Sequence, residues 1–432
     1  MSGRRVLLVS RHFPPDFAVG GKRAWRFARH LGESGWHPTV LTAAIPTNKK
    51  LDQSLPPLPD NVQVMRSYYP SWWPEEPPRA SDGTVAGATR YAGGQPSAWQ
   101  RLKAATRSPV GKDLWLAPRM SRHIADVAKQ VGADVLWVTS SPYTATVFGV
   151  GAARISGLPL VLDLRDPWTL NFMAAQTSWQ QGTEQRIERD VLSHADAVTL
   201  TCEAASQAYR KAYPTLPDGH IVTIYNSFEP AQAATDPVLP AADTLRIVHF
   251  GSCYGPRRLQ VVLRAIAAMV ADGVSSQRFE VLNLGRVAAE DLELAEQLQL
   301  SHVLQHRTFV PYDEGMAILA GADLLLLLAY GEETLYIPAK LFDYLLARRE
   351  ILCIAAPSEL TDIIERTATG SWARPDDVAA VKEALASALQ RKDAGKTALD
   401  ANEQAVQRFA APHTTAQLAA LLERVTAQQQ AR

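Results

Sequence analysis

Short apolar runs alternate with amphipathic stretches along the first half of the chain. The apolar runs have the length of buried strands and lie at 6–9, 39–41, 135–138, 160–162, 197–200 and 221–224. Amphipathic stretches with helical spacing lie between several of them, at 22–31, 120–131, 144–155 and 183–192. Buried strands that alternate with helices are typical of a parallel sheet covered on both faces. The pattern therefore predicts an α/β domain.

The segment 46–109 interrupts this alternation. It is rich in proline, glycine, serine and aromatic residues, and it includes the adjacent Trp72 and Trp73. Long insertions without a regular pattern are usually functional or mobile loops. We therefore expect an insertion without secondary structure, whose tryptophans either stack on a glycan, hold a lipid-linked acceptor, or belong to a core.

The same alternation returns after a linker-like stretch at 230–243. Strand-length apolar runs lie at 245–250, 279–284, 324–328 and 351–354, and helical patterns lie at 259–270, 288–298, 338–347 and 378–389. The sequence predicts an N-terminal Rossmann-like domain at 1–229 with the 46–109 insertion and a second one at 244–412. A terminal helix at 413–432 is expected to pack back on the first domain. Two doubly wound domains facing across an interdomain cleft would bring the carboxyl ends of both sheets to one space, where ligands bind.

Charge and composition narrow the function classes. The 432 residues include 44 basic and 44 acidic side chains, so no overall charge attracts nucleic acid. No apolar run approaches the roughly 20 residues needed to span a bilayer. The sequence therefore predicts a cytoplasmic protein whose membrane contact, if any, is peripheral and at the inner face. The chain has no Asp-x-Asp pair, and its three cysteines lie far apart, so we expect no metal and no cofactor.

Two glycines, Gly20 and Gly21, follow the first predicted strand and precede the first predicted helix. Paired glycines at such a turn let the backbone approach a ligand, and a helix N-terminus favours anions. The pattern is not the G-x-G-x-x-G of dinucleotide-binding folds. A tight turn that binds no ligand is the alternative.

Polar residues end the predicted strand at 160–162. Arg165 and Asp166 follow it directly, and Pro167 and Trp168 come next. Because sites form at the carboxyl ends of parallel strands, these two residues are candidates for a site that binds an acceptor substrate. The alternative is that the two side chains pair with each other.

The second domain repeats the arrangement of strand, glycine loop and helix, now with arginines. Gly251 follows the predicted strand at 245–250, and Arg257 and Arg258 precede the next helix. Arginine offers a rigid fork of donors that fits phosphate oxygens, and the helix start adds main-chain amides. The loop is therefore a candidate diphosphate site, with a solvated basic turn as the alternative.

A second cationic helix start lies at 338–347. Pro338 favours the first turn of a helix, yet Lys340 lies in that turn, where the helix dipole disfavours a cation. A phosphate partner would explain the position. Asp343 lies on the same face, where its carboxylate suits the hydroxyls of a ribose. A simple surface pair between Lys340 and Asp343 is the alternative.

Taken in order, these motifs resemble the GT4-type glycosyltransferases of the GT-B superfamily. The resemblance covers nearly the whole chain except 46–109. It rests on Phe13-Pro14-Pro15, Gly20-Gly21, Asp163-Leu164-Arg165-Asp166-Pro167-Trp168, Tyr225-Asn226-Ser227-Phe228, Gly251 with Tyr254 and Arg257, and Ile337-Pro338-Ala339-Lys340-Leu341-Phe342-Asp343-Tyr344.

The resemblance implies a retaining, metal-independent transfer of a sugar from a nucleotide-diphosphate sugar to a glycan, lipid-linked or small-molecule acceptor. It implies that Gly20, Gly21 and Gly251 lie near the donor. Arg257 and Lys340 would clamp the diphosphate and act in catalysis, and Asp343 would hold the ribose. Arg165 would lie on the acceptor side, together with Asp166, which is also a candidate for a catalytic role.

The sequence also departs from the family pattern. Leu335 stands where the family has the first of two glutamates, Asp343 stands at the second, and Glu332 and Glu333 are out of register. The histidine that many members carry after the fourth strand is absent from 139–143. The sequence leaves open a nucleotide-sugar epimerase or another enzyme of the same fold as alternatives. The departures also leave open a decayed binding or scaffold protein.

Overall fold

The computed structural model describes most of the chain. The described residues are 3–16, 20–45, 51, 54–69, 110–111, 113–140, 142–170, 178–234, 236–240, 243–255, 257–329, 335–396 and 399–431. They form two compact units. The first unit comprises the described residues up to 227 together with 411–431, and the second comprises those from 228 to 410.

A parallel sheet of seven strands forms the centre of the first unit, in the order β3-β2-β1-β4-β5-β6-β7. The strands are β1 (Arg4–Val9), β2 (Trp36–Leu41), β3 (Gln63–Met65), β4 (Val135–Thr139), β5 (Leu160–Leu164), β6 (Ala197–Leu200) and β7 (Ile221–Thr223). The helices are α1 (Gly21–His30), α2 (Ala117–Val131), α3 (Thr144–Ser156), α4 (Ser178–His194) and α5 (Glu203–Ala212), with 3-10 turns at Leu31–Ser34 and Leu114–Leu116.

Both faces of this sheet are buried, as the continuous apolar strands predict. Val6 and Leu8 of β1 belong to a core cluster with Trp25 and Phe27 of α1, and Trp137 of β4 joins them. The ring of Trp137 meets that of Phe27 edge to face, with centroids 5.5 Å apart. The terminal helix of the chain packs against α1 and adds leucines to this core.

The second unit has a parallel sheet of six strands in the order β10-β9-β8-β11-β12-β13. The strands are β8 (Leu245–Phe250), β9 (Phe279–Leu284), β10 (Leu304–Arg307), β11 (Leu324–Leu328), β12 (Ile351–Ile354) and β13 (Gly370–Ala373). The helices are α6 (Gln260–Ala271), α7 (Ala289–Gln297), α8 (Tyr312–Gly321), α9 (Lys340–Ala347), α10 (Glu359–Thr367), α11 (Val378–Asp393) and α12 (Glu403–Gln407), with 3-10 turns at Pro230–Gln232 and Ser276–Arg278. The terminal helix α13 (Ala411–Gln430) belongs to the first unit.

Each sheet has a topological switch point, where successive connections leave a central strand in opposite directions. In the first unit it lies between β1 and β4, and in the second between β8 and β11. The registers Val9↔Val138 and Leu325↔Val248 fix the alignment of these strand pairs. Open α/β sheets bind ligands outside the carboxyl ends of the strands at such points. The loops that follow these strands are therefore the candidate ligand-binding loops of the two units.

The predicted fold of two doubly wound, Rossmann-like domains is confirmed by the two parallel sheets. The prediction that 46–109 lacks secondary structure is wrong in part. Gln63–Met65 forms the edge strand β3 beside β2, and the nearby Tyr68 is buried. Three residues are too few to show a period, and their pairing is nonlocal. Trp72 and Trp73 lie outside the described residues.

The second unit begins at Phe228 rather than after a linker. The Phe228 amide donates to the Phe409 carbonyl at 2.9 Å. Farther along, the Val238 amide donates to the Ala317 carbonyl of α8 at 3.0 Å. These contacts attach much of the linker-like stretch to the second unit. Among the helices of the described residues, none combines the length and the apolar character needed to cross a membrane.

Candidate active site

Two glycine loops meet at the carboxyl ends of β8 and β9. Gly251 follows β8 with φ of +149°, and Gly285 follows β9 with φ of +152°. A β-carbon built on Gly285 would lie 2.4 Å from the carbonyl carbon and oxygen of Gly251. Only glycine permits this approach, because other residues rarely adopt these φ values and would also clash. The two loops therefore form one rigid main-chain surface.

Lys340 extends over the first of these loops. Lys340 is the first residue of α9, and α9 follows β11 in the chain. Lys340 and Gly251 therefore flank the switch point between β8 and β11. A β-carbon on Gly251 would lie 2.1 Å from both Cε and Nζ of Lys340. Burial and the charge of Arg257 lower the pKa of Lys340 to about 8, while Asp343 acts in the opposite direction. Within the described residues its ammonium forms no hydrogen bond and no ion pair.

Arg257 lies in the same part of the second unit and is only 9% exposed. Its guanidinium lies over the ring of Tyr254, 5.4 Å from the centroid, and donates to the Tyr254 hydroxyl at 3.3 Å. Because the side chain is buried, the alternative of a solvated basic turn is wrong for Arg257. Arg258 has a different position, since it pairs with Glu290 at 2.9 Å. Two cations, Arg257 and Lys340, are thus brought together at the carboxyl end of β8.

Asp343 does not form the surface pair with Lys340 that was the alternative prediction. Its Oδ1 instead accepts a hydrogen bond of 2.8 Å from the hydroxyl of Tyr312, in α8. Tyr312 in turn packs near Phe250 at the end of β8, with ring centroids 6.4 Å apart. The carboxylate is therefore held in place by a neighbouring helix.

His249 is a further candidate residue of this site, and the sequence pattern did not indicate it. It is buried in β8, and its Nδ1 donates to the carbonyl of Leu326 at 2.9 Å. Burial lowers its pKa to about 3, and the charges of Lys340 and Arg257 contribute. The ring is therefore neutral, and Nε2 carries a lone pair that is buried without a hydrogen-bond partner among the described residues. The available signal was a histidine next to the last residue of a buried strand that leads into a glycine loop.

A buried ion pair organises the carboxyl edge of the first sheet. The guanidinium of Arg23, in α1, donates to Asp163 of β5 at 2.8 Å, and the two side chains are 6% and 0% exposed. Thr139 of β4 and Thr199 of β6 also donate to this carboxylate, at 2.8 and 2.6 Å. Arg23 donates in addition to the carbonyls of Ile224 and Tyr225. The first residue of the Asp163–Trp168 motif thus joins several strand ends and is structural.

Gly20 and Gly21 each fit a close contact inside the first unit. A β-carbon on Gly20 would lie 2.3 Å from NH1 of Arg165. One on Gly21 would lie 3.0 Å from the His12 carbonyl oxygen and from the α-carbon of Phe13. Close packing therefore explains why a glycine stands at each of the two positions. Contact of the two glycines with donor phosphates stays a prediction.

The side chains of Arg165 and Asp166 lie in different surroundings. Arg165 donates from Nε to the Ser140 carbonyl at 3.0 Å and lies over Gly20, so the alternative of an Arg165–Asp166 pair is wrong. Asp166 is exposed. Its neighbour Trp168 stacks on Tyr143 with ring centroids 5.0 Å apart. Asp166 is thus an accessible carboxylate on a well-packed loop.

A second buried carboxylate fixes this loop from behind. Glu188 of α4 accepts hydrogen bonds from the hydroxyls of Tyr209 and Tyr213, both 2.6 Å long, and from the Thr169 hydroxyl. Burial raises the pKa of Glu188. The Tyr209 hydroxyl also accepts the Trp168 amide at 2.7 Å. The turn after β5 is therefore held by a polar network that the sequence pattern did not reveal.

The structure describes some of the residues that depart from the family pattern. Leu335, at the position of the first family glutamate, is half-buried, and Glu332 and Glu333 lie outside the described residues. In the part of the chain that the structure describes, no group of three or more His, Cys, Asp or Glu side chains could hold a metal ion.

The comparison with family models finds a match in the first unit. Residues 20–227 match the family model described as a glycosyl transferase 4-like domain. The first unit therefore contains a region that is similar to the glycosyl transferase 4-like domain, and this region spans just under half of the chain. The match includes the Gly20-Gly21 turn, the Arg23–Asp163 pair and the loop with Arg165 and Asp166, and it confirms the resemblance stated from the sequence. No curated protein matches this chain.

Solved structures match this chain over nearly its whole length. Sucrose-phosphate synthase from Thermosynechococcus elongatus shares 15% identity with a TM-score of 0.64, covering 98% of this chain and 100% of its own. A glycosyltransferase from Rickettsia africae shares 10% identity with a TM-score of 0.64, covering 98% and 99%. HepE from Anabaena, solved in complex with UDP, shares 16% identity with a TM-score of 0.59, covering 98% and 100%. These likenesses confirm the GT-B fold.

Proposed function

We propose that this protein is a glycosyltransferase that binds a nucleotide-diphosphate sugar in its second unit and transfers the sugar to an acceptor with retention and without a metal. The observation that carries the proposal is the position of Lys340, a cation without an anionic partner among the described residues that lies on the Gly251 loop. A donor of this kind is supported by HepE, whose structures are described as complexes with UDP and with UDP and glucose.

The surroundings of Lys340 suit a diphosphate. Arg257 adds a second fixed charge, and the start of α9 adds main-chain amides and the positive end of a helix dipole. When the bond between the sugar and the diphosphate breaks, negative charge grows on the diphosphate. Cations fixed in a buried site stabilise that charge more than they stabilise the ground state, which gives Arg257 and Lys340 a catalytic role. Asp343, fixed by Tyr312, is assigned to the ribose hydroxyls.

The acceptor is assigned to the first unit. Asp166 offers an exposed carboxylate at the carboxyl end of β5, and Arg165 lies beside it on a loop held by the Glu188 network. A glycan, a lipid-linked sugar or a small molecule would each offer the hydroxyl that such a site requires. Gly20 and Gly21 are assigned to the donor side of the α1 N-terminus, as the family resemblance implies.

Nucleotide-sugar turnover tests the proposal directly. The protein is incubated with a panel of nucleotide sugars, with and without EDTA, and release of nucleoside diphosphate is measured. We expect release that EDTA does not change, and a product whose anomeric configuration, read by NMR, equals that of the donor. Failure to bind any nucleoside diphosphate at millimolar concentration would contradict the proposal.

Two substitutions and one control locate the binding site. Arg257→Ala and Lys340→Met should each weaken nucleoside diphosphate binding about 10- to 100-fold, since a hydrogen bond to a charged group contributes about 1.5–3 kcal/mol. Arg258→Ala is the matched control, because its side chain pairs with Glu290 instead. An equal loss in all three variants would show that only the general charge of the loop matters.

A further inference from the structure

The two central strands of the second sheet separate at its switch point. The ladder between β8 and β11 ends at the pair of Val248 and Leu325. Beyond that pair, β8 continues along β9 as far as Phe250, and β11 continues along β12 as far as Leu328. Strands that separate leave main-chain amides and carbonyls without ladder partners, and buried groups of this kind are bonded to something else. Side chains at the separation can therefore take the place of the ladder.

The hydroxyl of Tyr344, in α9, bridges the separated strands. It accepts a hydrogen bond of 2.9 Å from the amide of Phe250 in β8, and it donates one of 3.0 Å to the carbonyl of Leu326 in β11. The tyrosine is completely buried, and burial raises the pKa of its hydroxyl, so the hydroxyl keeps its proton and remains a donor. Tyr344 thus connects α9 to both strands.

His249, in β8, donates to the same carbonyl. Its Nδ1 lies 2.9 Å from the oxygen of Leu326, and the residue is 1% exposed. Burial is the main reason that its pKa falls to about 3, and the charges of Lys340 and Arg257 also lower it. The ring is therefore neutral, with its one proton on Nδ1. It holds the carbonyl without adding a third positive charge to the site.

These bonds lie one helical turn from Lys340. Residues four apart share a face of a helix, so Lys340 and Tyr344 lie on the same face of α9. The side chain of Lys340 lies over Gly251, where a β-carbon would come within 2.1 Å of Nζ. The Gly251 loop directly continues β8, whose last residue, Phe250, is bonded to Tyr344. The bridge therefore fixes the helix that carries the ammonium relative to the loop beneath it.

We propose that Tyr344 and His249 are positioning residues of the donor site, which hold the ammonium of Lys340 over the Gly251 loop where the diphosphate binds. The inference rests on the proposed function, since it concerns the geometry of the diphosphate site. Both residues act through Lys340. A cation that is already in place loses less conformational freedom on binding, and it stabilises the charge of the departing diphosphate without a rearrangement.

The pKa of Lys340 in the full chain without ligand tests this inference. NMR spectroscopy of the protein, isotope-labelled at the ε-carbons of its lysines, follows the titration, and Lys340→Arg identifies the signal. The wild type should show a pKa of about 8. Tyr344→Phe should raise it to about 9 or above, because water reaches an ammonium that is no longer held in place. The other titratable groups that act on this pKa are Arg257, Asp343 and Cys253, and no variant changes them.

Two substitutions of His249 separate its hydrogen bond from its bulk. His249→Asn retains a donor near the position of Nδ1 and should leave the pKa of Lys340 at about 8. His249→Leu has no donor, so the pKa should rise as it does in Tyr344→Phe. In the double variant His249→Leu, Tyr344→Phe the carbonyl of Leu326 loses both donors. The rise should therefore exceed the sum of the two single effects.

Calorimetry with UDP, ADP, GDP, CDP and dTDP connects the position of Lys340 to binding. Tyr344→Phe and His249→Leu should each weaken the binding of the nucleoside diphosphate about tenfold, and His249→Asn should bind like the wild type. Thr367→Val is the matched control. It removes another buried hydroxyl of the second unit, which donates to the carbonyl of Ile363 at 2.7 Å within α10. It should lower the stability to urea and change neither the pKa nor the affinity.

The inference is overturned if neither Tyr344→Phe nor His249→Leu raises the pKa of Lys340, or if Thr367→Val raises it equally. It is also overturned if His249→Asn behaves like His249→Leu, or if the pKa rises while the affinity stays the same. The expected pKa changes in a protein that binds no nucleoside diphosphate would contradict the proposed function and still support the fixed position of Lys340.

Discussion

The side chain of Lys340 lies against the α-carbon of Gly251, where a β-carbon would come within 2.1 Å of Nζ. Gly251→Ala should therefore displace the ammonium and weaken nucleoside diphosphate binding at least tenfold, as measured by calorimetry. Gly273→Ala is the matched control, because Gly273 also has positive φ, +95°, but has nothing within 4 Å of a new β-carbon. Both variants should lose about 1 kcal/mol of stability from backbone strain, and only the first should lose binding. Equal affinities would remove Gly251 from the proposed site.

Binding of a nucleoside diphosphate should depend on pH through Lys340. Burial and the charge of Arg257 lower its pKa to about 8, and a bound diphosphate would raise the pKa because it favours the charged form. Affinity should therefore fall about twofold between pH 7 and 8 and approach a tenfold fall per pH unit above that, until the pKa of the complex is reached. Calorimetry between pH 7 and 10 measures this slope. Lys340→Arg should bind without the slope, since arginine stays charged, and a slope that persists in this variant would assign the titration to another group.

Gly20→Ala should lower the free energy of unfolding in the wild type and raise it in the Arg165→Ala variant. Gly20 has φ of −62°, which alanine adopts readily, but a β-carbon would lie 2.3 Å from NH1 of Arg165. In the wild type the clash should destabilise the protein by about 1 kcal/mol. In the Arg165→Ala variant, where the clash is absent, the substitution should stabilise it by about 0.4–1 kcal/mol. Urea unfolding of the four proteins completes the cycle, and a change of the same sign in both backgrounds would contradict the contact.

Breaking the buried pair of Arg23 and Asp163 should be one of the most destabilising single changes in the first unit. Asp163→Ala should destabilise the fold by about 3–5 kcal/mol, because it leaves a buried guanidinium without its carboxylate. The double variant with Arg23→Met should lose much less than the sum of the two single changes. Arg4→Ala serves as the control, since its pair with Glu423 is more than half exposed and should contribute about 1 kcal/mol or less. A loss below that level for Asp163→Ala would show that water reaches the pair.

Much of the fold could be predicted because the signals were local. Apolar runs such as 6–9 and 324–328 are buried on both sides, so they showed the parallel sheets without any knowledge of pairing. Arg257 and Lys340 could be selected because glycine or proline marks a helix start in the sequence itself. The edge strand β3 was missed, since its three residues become a strand only by pairing with β2.

The sequence by itself determined the two α/β domains, the loops after their strands and the cations at two helix starts, because periodicity and helix-start chemistry depend on neighbours along the chain. Only the tertiary structure decided that Lys340 lies on Gly251, that His249 is neutral against Leu326, and that Arg23 reaches Asp163 across 140 residues. These contacts depend on how strands and helices pack and on how far burial removes charges from water. Neither quantity is encoded in the spacing of residues along the chain.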